Sequence, residues 1–310
     1  MTKHMHAAAI DSHGGPEVLR VRELPRPALA APDSVAVRVL TAGVQPTDAA
    51  IRSGWTPPGA SITFPQILGN EFAGVVTDTG LDVRGFAPGD AVLGFNVLEC
   101  YAEHVVVPAA QLVGKPDGVA WTVAGALSAS GQTAHTALED LGVAAGETVL
   151  VHGAAGGVGT MFTQLARDRG ATVIGTAAEE NHAHLHALGA HPVAYGPGQV
   201  ERIRAVAGRI DAAFDAAGHG NLTDAVVLVA DRGRIGTIVD MGLADELGCR
   251  FLRSRRSAER LAELVELVDD GRLDVHIRRT YSLADAADAH RDVGRGHGRG
   301  KVVLEVGDVP

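Results

Sequence analysis

The chain has 310 residues, of which 46% are hydrophobic and 21% charged, so it is long enough for two domains that each bury a core. Its formal net charge of −10 at pH 7 argues against general nucleic-acid binding and against attraction to an anionic membrane surface. The two cysteines, Cys100 and Cys249, make neither a disulfide framework nor a metal-ligand cluster. The N-terminal segment MTKHMHAAAI holds no apolar core of signal-peptide length, and no stretch approaches a transmembrane span. We therefore expect a cytoplasmic protein.

The first 120 residues have the pattern of a mostly β domain. Short apolar or alternating runs recur there, separated by glycine and proline, as in GFAPGD at 85–90. Short strands with frequent turns are typical of a partly open barrel, and one short helix is expected over 47–52, after Pro46. The predicted strands cover residues 7–10, 18–24, 35–42, 72–77, 91–94 and 102–107.

Residues 119–139 change in character and indicate the entry into a second domain. They are alanine-rich and helical in period, with a break expected near Gly131. From residue 147 to about residue 240 strands and helices alternate, which predicts an α/β fold with a doubly wound parallel sheet. An amphipathic helix is expected over 258–269. Spacing alone leaves open whether the last predicted strand, 301–306, returns to the first domain.

The most informative stretch is TVLVHGAAGGVGTMFTQLARDRGATVIGT, residues 148–176, which reads strand, glycine turn, helix, strand. The glycines let a pyrophosphate approach the backbone closely, and the helix that follows supplies free N–H groups and the positive end of its dipole. The spacing is Ala154-x-Gly156-x-x-Gly159, so alanine stands in place of the first glycine of the G-x-G-x-x-G fingerprint. We interpret the unit as dinucleotide-binding. A glycine turn kept for packing alone is the alternative. The predicted contacts in the turn are Gly153, Ala154, Ala155, Gly156, Gly157, Val158 and Gly159.

Two more strand ends are expected beside this turn, because cofactors bind at the carboxyl edge of such a sheet. The strand predicted over 212–216 is followed directly by Ala217 and Gly218, which lie at its carboxyl end. NAD-binding proteins carry an acidic residue at the end of the second strand, whereas the small residues Thr176, Ala177 and Ala178 stand there and leave room for a 2′-phosphate. The acidic residues at 179 and 180 are expected to be exposed at the start of a helix, where the dipole favours them.

Eight segments run in a familiar order over nearly the whole chain. They are AGVQPTDAAIRSG (42–54), LGNEFAGVV (68–76), GDAVLGF (89–95), YAEHVVVP (101–108), SGQTAHTAL (130–138), VLVHGAAGGVG (149–159), LGA (188–190) and GRGKVVLEV (298–306). Together they resemble the medium-chain dehydrogenase/reductase superfamily, in its zinc-free quinone oxidoreductase and enoyl reductase branch. The resemblance implies a GroES-like β-barrel domain over 1–120 and 272–310 and a Rossmann domain over 121–271. It also implies NADPH or NADH as cofactor, hydride transfer to a polarised C=C bond or a quinone, and a homodimer formed through the Rossmann domains.

The resemblance also bears on a metal. Zinc-dependent relatives place a cysteine where this chain has Gln45, a histidine where it has Asn70, and a further ligand near Ser128. A catalytic zinc needs three protein ligands of the cysteine, histidine or carboxylate type, and Glu71 alone does not supply them. We therefore expect no metal site.

The remaining cofactor contacts also come from the resemblance. Tyr195 matches a tyrosine that holds the 2′-phosphate in NADPH-binding relatives, and His182 lies near the position of a basic residue. We expect NADPH rather than NADH as the cofactor. The alternative for Tyr195, given equal weight, is that it is an exposed aromatic residue of a surface strand with no role in cofactor binding. The other matched contacts are Ser128, Thr133, Phe251, Leu252 and Lys301.

Three residues are candidates for the chemistry. Gln45 stands where zinc-free relatives have asparagine, and its amide is a donor that can polarise a substrate carbonyl. Asp48 is either a polar anchor or proton relay, or simply an early helix acid. Tyr101 is a candidate proton donor, with a structural strand tyrosine as the alternative. Water can also quench the enolate, so positioning, polarising and excluding solvent are the protein's main tasks.

The leading hypothesis is a zinc-independent, NADPH-dependent reductase that transfers hydride to an α,β-unsaturated carbonyl or a quinone. One alternative is a biosynthetic tailoring reductase or reductive cyclase on the same scaffold. This alternative stays open because the chain has Gln45 where zinc-free relatives have asparagine. A non-catalytic NADPH-binding protein is another, because a fold does not settle a function. The expected partner besides a second copy of the chain is a small-molecule enone or quinone.

Overall fold

The structure, a computed structural model, describes residues 3–29, 31–296 and 298–308. The strands are β1 (His4–Ile10), β2 (Leu19–Pro25), β3 (Ser34–Val44), β4 (Gln66–Ile67), β5 (Glu71–Thr79), β6 (Ala91–Phe95), β7 (His104–Pro108), β8 (Leu112–Gly114), β9 (Thr148–His152), β10 (Thr172–Ala177), β11 (His191–Ala194), β12 (Ala212–Asp215), β13 (Ile235–Thr237), β14 (Arg250–Phe251), β15 (Ile277–Ser282) and β16 (Lys301–Glu305). The helices are α1 (Pro46–Arg52), α2 (Trp121–Asp140), α3 (Gly157–Asp168), α4 (His182–Ala187), α5 (Gln199–Val206), α6 (Asn221–Leu228), α7 (Met241–Leu247), α8 (Ala258–Asp269) and α9 (Ala286–Gly294).

The chain divides into two units. Unit 1 consists of Met1–Ala129, Ser257–Asp270 and Val275–Pro310, and unit 2 of Ser130–Arg256 and Gly271–Asp274. The division falls inside α2, whereas the sequence-based boundary lies at residue 120. The first half of α2 belongs with unit 1 because the Thr41 hydroxyl donates to the carbonyl oxygen of Trp121, 2.7 Å away. Helix α8 also belongs with unit 1, where it packs against β8.

Unit 1 is built from two β-sheets. One has the strand order β2-β1-β4, and the other the order β15-β16-β3-β5-β6-β8, with β7 also paired to β3. Strand β3 buries most of its residues because it lies in the interior of the larger sheet. Strand β16 pairs antiparallel with β3, so the last predicted strand does return to the first domain.

Unit 2 is a six-stranded, all-parallel sheet in the order β11-β10-β9-β12-β13-β14. This is the doubly wound Rossmann order, with its reversal between β9 and β12, and the predicted fold class is confirmed. Helix α3 presses Met161, Phe162 and Leu165 into the core, where the ring of Phe162 stacks on Phe214 with centroids 4.5 Å apart. Among the described residues, none of the helices combines the length and the apolar character that crossing a membrane requires.

The predicted break of the linking helix near Gly131 is wrong, because α2 runs unbroken from Trp121 to Asp140. A glycine inside a helix costs only about 1 kcal/mol relative to alanine. The residues around Gly131 are buried along most of the helix, and burial outweighs that cost. Local propensity therefore gave the wrong answer where tertiary packing decides.

The alanine at the first fingerprint position is accommodated by a glycine on the neighbouring strand. The methyl group of Ala154 is fully buried, and a Cβ added to Gly175 would lie 2.7 Å from it. We expect Gly175→Ala to lower the melting temperature and to weaken dinucleotide binding, because the added methyl displaces the turn between β9 and α3. The change Ala154→Gly in the same chain should restore both, as measured by calorimetry and by titration with the dinucleotide. Failure of this second change to rescue the first would contradict the packing argument.

Candidate active site

Six polar side chains form a buried, hydrogen-bonded group in unit 1, called here the polar cluster. Three of its members, Gln45, Asp48 and Tyr101, are the predicted catalytic residues, and each of the six is at most 6% exposed. Local sequence places them: Pro46 is a favourable first residue for α1, and Asp48 in its first turn accepts from the backbone N–H of Gln45 at 2.9 Å. The cluster consists of Gln45, Asp48, Asn70, Glu71, Tyr101 and Lys301.

Asp48 is the centre of one half of the polar cluster. Its carboxylate accepts hydrogen bonds from the Tyr101 hydroxyl at 2.7 Å and from the Asn70 amide at 3.0 Å, besides the Gln45 N–H. Burial raises the pKa of Asp48 from 3.8 to about 6, although the bonds from Tyr101 and Gln45 oppose this shift. Asp48 therefore changes its protonation state near pH 6, close to the physiological pH range.

Tyr101 is fully buried, and its hydroxyl proton is directed at Asp48. Burial, followed by the charge of Asp48, raises the pKa of Tyr101 well above 10, so the phenol keeps its proton. Gly69 makes room for the ring, because a Cβ at that position would collide with it. This geometry lets Tyr101 hold Asp48 in place, and its predicted role as a proton donor stays a prediction.

Glu71 is the centre of the other half. Its carboxylate accepts from the Lys301 ammonium at 2.9 Å, from the backbone N–H of Ala129 at 2.6 Å and from the side-chain amide of Gln45. The sequence considered Glu71 only as a metal ligand and missed this role. The sequence feature that could have indicated this role is the position of Glu71, an acidic residue directly before the apolar segment FAGVV. Lys301, predicted as a cofactor contact, donates its ammonium N–H to Glu71, and its role towards a cofactor stays a prediction.

Contact with Glu71 fixes the orientation of the Gln45 amide. An ionised carboxylate only accepts hydrogen bonds, so the NH₂ group of Gln45 must face Glu71 and its carbonyl oxygen must face away. One of the two amide N–H groups is thus used within the cluster. The other is the donor that remains for a ligand.

The raised pKa of Asp48 predicts a measurable pH dependence of stability. Because the folded state binds this proton more tightly than the unfolded chain does, Asp48 favours folding below about pH 4, and this contribution is lost as pH rises towards 6. We expect the free energy of unfolding to fall across this window by about 3 kcal/mol more in the unaltered protein than in Asp48→Asn. Urea titrations at several pH values measure it. The exposed Asp82→Asn is the control, and parallel curves for Asp48→Asn and the unaltered protein would contradict the assignment.

The predicted cofactor turn in unit 2 is tightly packed against its neighbours. A Cβ at Gly159 would lie 2.8 Å from the Cα of Ala154, and a Cβ at Gly153, whose φ is +72°, would lie 3.0 Å from the Ala217 methyl. The N–H groups of Gly157 and Val158 open α3 and have no acceptor within the described residues. Close backbone approach and free N–H groups are what a pyrophosphate needs, so the turn fits a dinucleotide.

Asp215 fixes the second turn at this sheet edge. One of its carboxylate oxygens accepts from the N–H groups of Ala217 at 3.0 Å and Gly218 at 2.9 Å, and the other from the Thr237 hydroxyl at 2.8 Å. Two predicted contacts thus lie in a preformed turn. Leu252 is buried, and its backbone N–H donates a hydrogen bond to the carbonyl oxygen of Thr237, 2.8 Å away. The neighbouring Phe251 is half-buried.

The end of β10 carries the predicted site for the 2′-phosphate. Ala177 is the register partner of Ala194, so Tyr195, which is 51% exposed, begins just beyond this strand end. The His182 ring lies 3.4 Å from the Ala177 carbonyl oxygen. Arg202, which the sequence missed because it follows on α5, donates to the carbonyl oxygen of Ala194 at 2.8 Å and brings positive charge to this corner. The acidic residues at 179 and 180 are exposed, as expected.

Thr176 is buried and Ala178 half-buried at the same strand end. Ser128 and Thr133 lie on α2, the first fully buried in unit 1 and the second half-buried in unit 2. The structure therefore joins Gln45, Asp48, Tyr101 and Lys301 in one cluster and gathers the glycine-turn residues at the carboxyl edge of the unit 2 sheet. Their roles towards a ligand stay predictions.

The described residues contain no group of three or more histidine, cysteine, aspartate or glutamate side chains arranged to hold a metal ion. The expectation that the protein works without zinc stays a prediction, which metal analysis of the purified protein tests.

Comparisons with known proteins identify the family. Residues 31–117 match the alcohol dehydrogenase GroES-like domain family, and residues 188–304 match the zinc-binding dehydrogenase family. The chain is 31% identical to a quinone oxidoreductase of Pseudomonas aeruginosa, over 98% of this chain and 99% of that protein. It is 34% identical to the spectinabilin polyketide synthase system protein NorB of Streptomyces orinoci, over 88% of this chain but only 13% of that much longer protein.

A solved structure supports the same assignment. The Escherichia coli quinone oxidoreductase complexed with NADPH superimposes with a TM-score of 0.85 at 26% identity, over 97% of this chain and all of that chain. The domain matches, the full-length quinone oxidoreductase relative and the shared fold agree with one another. The chain therefore belongs to the medium-chain dehydrogenase/reductase superfamily, in its quinone oxidoreductase branch.

Proposed function

We propose that the protein is an NADPH-dependent reductase that transfers hydride to an α,β-unsaturated carbonyl or a quinone without zinc. The observation that carries the proposal is the polar cluster. At two positions where zinc-dependent relatives hold ligands, Gln45 and Asn70 donate hydrogen bonds to the carboxylates of Glu71 and Asp48. Hydrogen-bonding amides fit a site that polarises a carbonyl oxygen rather than one that holds a metal.

The cofactor part of the proposal has separate support. NADPH, when bound, supplies the hydride. The E. coli relative is described in complex with NADPH. In this chain the end of β10 has no acidic side chain, whereas Tyr195 and Arg202 offer a hydroxyl and a positive charge at the same corner. These groups suit a 2′-phosphate better than a pair of free ribose hydroxyls.

The residues of unit 1 have distinct tasks in this proposal. Addition of a hydride to the β-carbon of an enone shifts the electron pair of the C=C bond to the carbonyl oxygen. The free N–H of Gln45 stabilises that developing oxyanion. Asp48, whose pKa is raised by burial to about 6, is mostly ionised at pH 7 and is held in place by the Tyr101 hydroxyl, and a proton from water completes the product.

The test is the loss of NADPH absorbance with a panel of quinones and enones, with NADH in parallel. We expect turnover with one substrate class and a preference for NADPH. Gln45→Ala should lower kcat by about 100-fold, which is typical for the loss of one oxyanion donor, whereas Gln45→Asn should keep most of the activity. No turnover with any substrate, in protein that binds NADPH, would contradict the proposal and favour a non-catalytic role.

A biosynthetic tailoring reductase is the second candidate. The similarity to a polyketide synthase system protein favours it. Thioester-linked enoyl substrates belong in the panel for this reason, and turnover with them alone would select this candidate. The homodimer is a further part of the proposal, and light scattering of the purified protein tests it.

A further inference from the structure

The ion pair between Glu71 and Lys301 has no part in the reaction proposed above, yet it is among the most buried charged contacts of unit 1. The Glu71 side chain is completely buried and that of Lys301 is 3% exposed. Removing two charges from water is costly, and the mutual attraction offsets this cost only when further hydrogen bonds complete the site. A pair of apolar residues would fill the same space at lower cost, so the charges call for a role beyond stability.

The additional bonds to Glu71 come from the elements that carry the candidate site. The carboxylate joins Lys301 on β16, Gln45 just before α1 and the backbone of Ala129 in α2. Ala129 directly follows Ser128, a predicted cofactor contact. One carboxylate therefore connects the amide proposed for oxyanion binding with the helix segment expected near the cofactor.

Gly43 gives the carboxylate its place. A Cβ on Gly43 would lie 2.7 Å from the carboxyl carbon of Glu71 and would collide with one of its oxygens. The absence of a side chain at Gly43 thus lets the Glu71 carboxylate pack directly against the backbone of β3, close to Gln45. Lys301 starts β16, and the next residue, Val302, is paired with Val44.

The consequence concerns the orientation of a flexible side chain. A glutamine amide can turn either its NH₂ group or its carbonyl oxygen towards a ligand, and only the NH₂ group stabilises an oxyanion. Glu71 accepts hydrogen bonds and nothing else, so it selects one orientation. Lys301 donates to the same carboxylate and holds it in place.

We infer that Lys301 and Glu71 are positioning residues, which hold the Gln45 amide with one N–H directed at the substrate oxygen. This inference rests on the proposed function for its kinetic consequence. Its structural part, an oriented and hydrogen-bonded amide, stands without turnover. The two parts are tested separately.

The structural test uses the full chain labelled with ¹⁵N in its six glutamine side chains. The Gln45 NH₂ signals are assigned by their loss in Gln45→Ala. We expect these signals to be widely separated and slow to exchange with solvent in the unaltered protein, and to become ordinary in Lys301→Met, while Lys301→Arg retains them. Signals of Gln45 that are the same in Lys301→Met as in the unaltered protein would overturn the inference, whether or not any substrate is found.

The kinetic test is a double-mutant cycle. We expect Lys301→Met to lower kcat by about 10- to 100-fold with little change in KM, because the amide is misplaced rather than lost. In a Gln45→Ala background the same change should have almost no effect, since the lysine acts through the glutamine. An equal effect in both backgrounds would overturn the inference. If Lys301→Met does not fold, the neutral double variant Glu71→Gln/Lys301→Met takes its place in both tests with the same expectations.

Discussion

Replacing Gly159 with valine should weaken NADPH binding by about 100-fold or more, because the first turn of α3 can no longer lie against the glycine turn. The side chain added at Gly159 meets the carbonyl oxygen of Gly153 and the Cα of Ala154, which are backbone atoms and cannot move aside without opening the turn. The free N–H groups at the start of α3 would then lose their alignment towards a phosphate. Isothermal titration with NADPH measures the effect.

A matched control distinguishes this local effect from general damage. Gly208 is exposed in unit 2, and a Cβ there would have no atom within 4 Å, so Gly208→Val should bind NADPH as the unaltered protein does. Tight NADPH binding by a folded Gly159→Val would show that the cofactor does not use this turn. It would leave the alternative of a glycine turn kept for packing.

Lys301→Met should lower the free energy of unfolding by about 3–5 kcal/mol, which is the usual cost of leaving one partner of a buried ion pair uncompensated. Glu71 would remain buried with two neutral donors among the described residues, the Gln45 amide and the Ala129 N–H. Chemical denaturation at neutral pH measures the loss. Part of it should be recovered in Glu71→Gln/Lys301→Met, because no unpaired charge remains.

Lys3 provides the control for this second prediction. It is exposed, and Lys3→Met removes the same charge from the surface, where single substitutions usually change stability by less than about 0.5 kcal/mol. Equal losses in Lys3→Met and Lys301→Met would mean that the ion pair contributes nothing beyond net charge.

The features that the sequence predicted best are those encoded within a few residues of one another. The strand, glycine turn and helix around Gly156 follow from local spacing, and α8 appears over the predicted residues because its apolar period and its Ser257 cap are both local. The same reasoning predicted the break at Gly131, which is absent because the packing of α2 outweighs the preference of one glycine.

The features that the sequence missed depend on contacts between distant residues. Nothing near Glu71 in the sequence shows that its cation is Lys301, 230 positions away. Arg202 was overlooked for a similar reason, since its guanidinium folds back from α5 onto the end of β11. For Tyr101 the sequence showed a candidate donor, but its complete burial arises only when the unit 1 residues pack around it.

The position of β16 inside the large sheet of unit 1 has a consequence for synthesis on the ribosome. Domains usually fold as they emerge, N-terminal part first. Here β3 leaves the ribosome long before β15 and β16, so this sheet ends at β3 until these two strands arrive, and Glu71 is made well before its counter-ion. The residues of unit 2 are complete earlier, and we expect them to resist protease first in stalled nascent chains. Until Lys301 emerges, the end of β3 that pairs with β16 has no partner strand, and we expect chaperones to bind the nascent chain at this stage.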